Sequence, residues 1–89
     1  MNIQFPCPCC GFLTLAEPAG GTYYVCPVCY WEDDYVQFVE PNFESGANKE
    51  SLEQARQNFL TFGACSLRFI ECVRPLVESE KPKSGISKA

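Results

Sequence analysis

Apolar and polar positions in the first forty residues come in short bursts rather than helical waves. Phe12-Leu13-Thr14-Leu15 and Thr22-Tyr23-Tyr24-Val25 are β-prone runs separated by Glu17-Pro18-Ala19-Gly20-Gly21, whose proline and glycines read as a turn. This predicts a hairpin. Tyr35-Val36-Gln37-Phe38-Val39 predicts a third strand beside it, ended by Pro41. Strands this short need cover on one face. The loop over residues 41–50 is rich in Pro, Asn, Gly and Ser, and after it the period changes: Leu52, Ala55, Phe59 and Phe62 fall on one helical face. Ser51 and Gln54 fit a capping box at the start of that helix, and Gly63 supplies its stop. The stripe reads as a core face against the sheet. Residues 66–74 predict a second short helix with Leu67, Phe69, Ile70 and Val73 inward, ended by Pro75. From Glu78 onward the chain is too polar to bury.

At the two ends of the predicted hairpin stand Cys7-Pro8-Cys9-Cys10 and Cys26-Pro27-Val28-Cys29. Two thiolates separated by two residues reach one tetrahedral ion from a single tight turn, and a second pair completes the set when the chain returns. The candidate ligands are Cys7, Cys10, Cys26 and Cys29, and zinc is the first metal such a set suits. Cys9 could replace Cys10 as the partner of Cys7, although the spacing favours Cys10. Pro8 and Pro27 preset each turn, and Gly11, free to take positive φ, lets N–H groups face the sulfurs. Tyr30 stands where the second such glycine would be, so that turn differs or carries strain. Competing readings are two disulfides, or ordinary buried cysteines. Seven cysteines make an odd count, and Met1-Asn2-Ile3-Gln4-Phe5 has neither a basic nor a long apolar stretch, so a reducing cytoplasm is the expected setting. Iron in a rubredoxin-like site, or a thiol redox role using Cys9, is the alternative chemistry. The expected architecture is α+β: a small zinc-ribbon-like antiparallel sheet, one main helix and a short second helix over residues 1–77, with residues 78–89 as a disordered tail.

Charge and composition narrow the function. The 89 residues carry a formal charge of −4, and four thiolates around one divalent ion would take it to about −6. Such a module lacks the clustered Lys and Arg that phosphate backbones demand, so nucleic acid is not the expected partner. Neither a membrane span nor a basic amphipathic stripe is present. The chain has no histidine, which removes the usual general base and the usual partner of Ser or Cys nucleophiles. Four thiolates also leave no open position on the metal. The favoured role is therefore a metal-stabilised domain that binds another protein. Trp31, with Tyr30 and Tyr35, is the candidate anchor patch, but for Trp31 packing over the metal site or sheet is the favoured reading. Glu32-Asp33-Asp34 reads as a solvated acidic turn, with a catalytic role, a second cation site or a basic partner as its alternatives. Cys65 and Cys72, seven apart, read as ordinary burial on one face of a helical stretch.

Taken together, Cys7-Pro8-Cys9-Cys10-Gly11, Cys26-Pro27-Val28-Cys29 with Trp31-Glu32-Asp33-Asp34, and Gly46-Ala47-Asn48-Lys49 leading to Ser51-Leu52, Ala55, Asn58-Phe59 and Phe62-Gly63 resemble the cysteine-rich CPCC family. The resemblance spans residues 5–64. It implies a zinc-ribbon-like module, mostly of bacterial proteins, without an established reaction. Cys65 and Cys72 lie outside the motifs that carry it.

Overall fold

A computed structural model describes residues 4–82. The chain enters as β1 (Phe5–Pro6), turns through the first cysteine pair and returns as β2 (Leu13–Leu15). The two strands pair antiparallel, Phe5 opposite Leu15 and Pro6 opposite Leu13, with an irregularity between Phe5 and Pro6. Proline has no N–H to donate, so a break in the ladder at that point costs little. The expected hairpin around residues 17–21 does not form. Residues 22–25 instead fold back across the second cysteine pair: Val25 bridges Glu32, Tyr23 N–H donates to the Asp33 carbonyl at 2.9 Å, and Asp33 N–H donates to the Tyr24 carbonyl at 3.0 Å. Each β-prone run thus pairs across its nearer cysteine turn, the shorter loop to close.

The predicted third strand is a helix, α1 (Tyr35–Val39). The run looks β-like by period, but Asp34 precedes it and decides its form. The Asp34 carboxylate accepts the Gln37 N–H at 3.0 Å, an N-cap that satisfies a first-turn donor.

Helix α2 (Leu52–Phe62) runs where the apolar stripe placed it. Ser51 Oγ accepts the Gln54 N–H at 3.1 Å, while the Gln54 amide turns outward to Asn58 Oδ1 at 2.8 Å, so half of the capping box forms. Gly63 closes the helix at φ 86°, its N–H on the Phe59 carbonyl. Leu52 and Ala55 are fully buried, and Phe59 meets Phe12 edge-on with ring centroids 6.2 Å apart. Arg56 Nε donates to the Pro8 carbonyl at 2.9 Å, tying α2 to the first cysteine turn.

The second predicted helix shrinks to a 3-10 turn at Leu67–Phe69. Pro75 steers only Arg74 out of the helical region; the chain has already turned at Cys72, whose N–H donates to the Phe69 carbonyl at 2.8 Å. Leu67 and Ile70 face solvent, and Phe69 turns in against Tyr30, rings 4.8 Å apart. Arg74 N–H then donates to the Pro27 carbonyl at 3.0 Å and brings the chain back to the second cysteine turn. The expected boundary after residue 77 falls inside packed structure: Glu78–Glu80 forms another 3-10 turn, and the buried Glu80 carboxylate accepts Arg74 Nη1 and Nη2 at 3.0 and 2.6 Å and the Val77 N–H at 2.9 Å. The guanidinium supplies what polarity alone did not promise, a paired charge that tolerates burial. Residues 83–89 of the expected tail lie outside the described residues. The whole is a small α+β fold: a two-stranded antiparallel sheet, one main helix and short 3-10 turns. Among the described residues no helix is long and apolar enough to cross a membrane.

Candidate metal centre

The two cysteine turns have the same backbone construction. In the first, Gly11 N–H donates to the Cys7 carbonyl at 2.8 Å and Cys7 N–H to the Phe12 carbonyl at 2.9 Å. In the second, Tyr30 N–H donates to the Cys26 carbonyl at 2.7 Å and Cys26 N–H to the Trp31 carbonyl at 2.9 Å. Gly11 and Tyr30 hold equivalent positions at φ 82° and 72°. The symmetry that Tyr30 put in question is therefore kept, and Tyr30 accepts a left-handed conformation costing on the order of 1 kcal/mol. Its ring contact with Phe69 opposes that cost.

These turns bring Cys7, Cys10, Cys26 and Cys29 together, with all four Sγ atoms within 4.8 Å of one another. The Cys7–Cys29 and Cys10–Cys26 sulfurs are 3.6 and 3.7 Å apart. A tetrahedral ion with sulfur bonds of ~2.3 Å requires edges of about 3.8 Å. A disulfide requires about 2.05 Å, and all seven cysteines are free thiols. Cys9 is not in the group; its backbone N–H donates to Cys7 Sγ at 3.4 Å while its side chain is buried. Thr14 Oγ1, on β2, donates to Cys26 Sγ at 3.1 Å. Both bonds stabilise negative charge on sulfur. Thr14 escaped sequence reasoning because its partner lies in the other turn and no local spacing relates them.

Protonation follows from the crowding. Cys26 is driven well below the ordinary thiol range, chiefly by hydrogen bonding from Cys10, then from Cys29 and Cys7. Cys10 is driven up, first by its bond to Cys26, and Cys29 is driven up by Cys10 and then Cys26. Sulfurs this close share protons around one thiolate unless a cation neutralises them. A divalent ion at the centre would let all four ionise and would close the coordination sphere. The donor set fits a structural metal site.

Around this centre the remaining candidates separate. Trp31 is fully buried, so it packs in the core and cannot anchor a partner; its Nε1 has no hydrogen-bond partner among the described residues, a penalty offset by aromatic burial. Tyr30 is half-buried and Tyr35 exposed. The acidic triplet is not a solvated turn. Asp33 is fully buried, and its carboxylate accepts the Gly20, Gly21 and Thr22 N–H groups and the Thr22 hydroxyl at 2.8 to 3.1 Å. Gly20 and Gly21, at φ 117° and 108°, aim those donors inward. Asp34 caps α1 and also accepts the Ala47 N–H at 3.1 Å. Glu32 meets the Asn48 amide through its backbone, donating at 3.0 Å and accepting at 2.8 Å. The three neighbouring residues thus serve three directions: Asp33 and Asp34 through their carboxylates and Glu32 through its backbone.

The bracing roles of Gln37 and Asn48 were not read from the sequence. Gln37 is fully buried; its Nε2 reaches the Phe43, Asn48 and Glu50 carbonyls at 3.0 to 3.1 Å, and its Oε1 accepts from Asn48 N and Nδ2 at 3.2 and 2.9 Å. Gln37 signalled itself only as a lone polar residue in an apolar run, and Asn48 only as part of the motif Gly46-Ala47-Asn48-Lys49. Cys65 is buried, its N–H on the Cys29 carbonyl at 2.8 Å, and burial pushes its thiol up to about 12. Cys72 is exposed.

With the site in view, one comparison with known proteins finds a match. The family model described as Cysteine-rich CPCC matches residues 5–80, and the chain belongs to that family. The match takes in Cys65, Cys72 and the Arg74–Glu80 pair, beyond the 5–64 span of the recognised motifs. Among curated proteins none matches.

Proposed function

We propose that the protein is a structural zinc module: Cys7, Cys10, Cys26 and Cys29 hold one Zn²⁺ as thiolates, and the ion stabilises a small domain that binds another protein. The observation that carries the zinc reading is the sulfur group itself, whose 3.6 and 3.7 Å edges suit a tetrahedral ion. Thr14 Oγ1 and Cys9 N–H would support the thiolates. The metal's chemistry would be adhesive, joining two cysteine turns that have little sheet to hold them. Four sulfurs leave no position for water or substrate, which favours binding over catalysis. Free thiols throughout the chain suit a reducing compartment, the cytoplasm.

Iron fits the same cage, so the test separates the two metals. Protein purified anaerobically under reducing conditions without added metal should carry one zinc per chain by elemental analysis and be colourless. One iron per chain with visible thiolate absorption would make it a redox protein. Neither metal, with all thiols titratable, would end the metal reading.

A further inference from the structure

Helix α1 is built inside out. Its one buried side chain is the polar Gln37, whereas Tyr35, Val36, Phe38 and Val39 are 57%, 45%, 38% and 51% exposed, and Phe43 just beyond is 44% exposed. A helix that served only the core would present the opposite face. At roughly 100° per residue, Tyr35 and Val39 form the ridge opposite Gln37, with Val36 and Phe38 on its flanks. Val39 and Phe43 border a groove of about 420 Å³ with Glu40, Pro41 and Asn42. This surface is held in place. Gln37 and Asp34 bond the helix to residues 43–50, and Tyr35 and Phe38 rest on Gly21 and Gly20, where an added Cβ would come within 3.2 and 3.3 Å of them. Fixed apolar surface of this kind marks an interaction site.

Charge says what kind. Every charged residue before Lys49 is acidic: Glu17, Glu32, Asp33, Asp34, Glu40 and Glu44. Glu40 and Glu44 are exposed near Phe43, and Glu17 is exposed beside the turn that carries Gly20 and Gly21. The cations lie from Lys49 onward, on the loop, α2 and the segments after it; one of them, Arg56, lines a cavity with Phe38, its Nε held by the Pro8 carbonyl. Anionic lipid and nucleic acid are repelled by such a rim. We propose that α1 and Phe43 dock a segment of a partner protein whose apolar side chains are flanked by Lys or Arg. The proposal rests on the interaction role proposed above and gives that role its surface and partner chemistry. Apolar anchors would enter the ridge and groove, and the cations would meet Glu40, Glu44 and Glu17 at the rim.

The test uses three labelled peptides of equal length and measures fluorescence anisotropy with the purified, metal-containing protein. One peptide alternates Leu and Lys at amphipathic spacing, one replaces each Lys by Glu, and one replaces each Leu by Ser. The Leu/Lys peptide should bind at least about tenfold more tightly than either control, and its affinity should fall as salt rises. Replacing both Val36 and Val39 by Ser should weaken it about tenfold while metal content and a cooperative melt persist. Equal binding of the Ser/Lys or Leu/Glu peptide, no loss in the double variant, or no binding at all would overturn the proposal. So would self-association through this face in sedimentation, which would make the occupant a second copy. Metal content on the same samples keeps the two readings apart: failed docking with one zinc per chain removes only the surface, whereas absent zinc removes the module.

Discussion

The two cysteine turns and residues 32–50 are both short of regular structure, yet they are held by opposite means. In the turns, one backbone construction repeats and four sulfurs converge from both copies. In residues 32–50 no such group exists, and the backbone is held by side chains placed one at a time: Asp33 on the 20–22 turn, Asp34 on α1 and Ala47, Gln37 and Asn48 on the loop. Buried backbone donors and acceptors need partners wherever they fall. Where a metal can gather the chain, few side chains are required; where it cannot, nearly every buried polar residue becomes a brace. The α1 face that results is apolar outside because its polar side was needed within.

The comparison can be broken first at the sulfurs. Cys29→Ser should abolish stoichiometric metal binding and unfold the cysteine turns, since metal-linked folding on the order of 10 kcal/mol rivals the whole stability of a domain this size. Far-UV circular dichroism and metal analysis check it, and a native-like spectrum in the metal-free variant would mean that the turns stand without the ion. Next comes the brace. Asp33→Ala orphans the donors of Gly20, Gly21 and Thr22 and should cost about 3 kcal/mol in urea unfolding, with metal content kept at the wild-type level. Loss of metal in that variant would show that the two regions are one cooperative unit.

A smaller effect sharpens the same contrast. A Cβ on Gly46 would lie 2.8 Å from Gln37 Cδ, and Gln37 is fixed by its hydrogen bonds, so Gly46→Ala should cost about 1–3 kcal/mol. Gly11, also glycine but in a cysteine turn, has open space around it; Gly11→Ala should cost only its left-handed conformation, about 1 kcal/mol. Least in effect is the Glu80 carboxyl, held below its ordinary value of 4.5 chiefly by the Arg74 hydrogen bonds and further by the Val77 N–H. A depressed folded value means that its contribution is complete above 4.5 and fades as pH falls through the folded value. Thermal melts of wild type and Glu80→Gln should therefore differ at neutral pH and converge on acidification below that value. A gap that persists in acid would remove the ion pair from the account.

What could be read in advance divides along the same line. The gathering of four cysteines, α2 with its Ser51 start and Gly63 stop, and the α+β class were legible because each rests on local spacing: two residues between cysteines, three or four between apolar positions. The strand pairing was not, because residues 13–15 have two possible partners and the choice falls on loop closure. Nor was α1, where Asp34 as a cap outweighed a β-like run. Asp33 was misread as solvated, whereas the burial of Trp31 was the favoured of its two readings; the acid is placed by residues 20–22, distant in sequence. Gln37 lay in plain sight as the odd polar residue of its run, and only its five contacts with residues 43–50 give that oddness meaning.

X-ray absorption at the zinc edge of the purified protein tests the central claim most directly. The account predicts four sulfur neighbours at about 2.3 Å and no nitrogen or oxygen. A shell of three sulfurs with one light atom, or a mixed shell of longer bonds, would contradict a closed site made by Cys7, Cys10, Cys26 and Cys29.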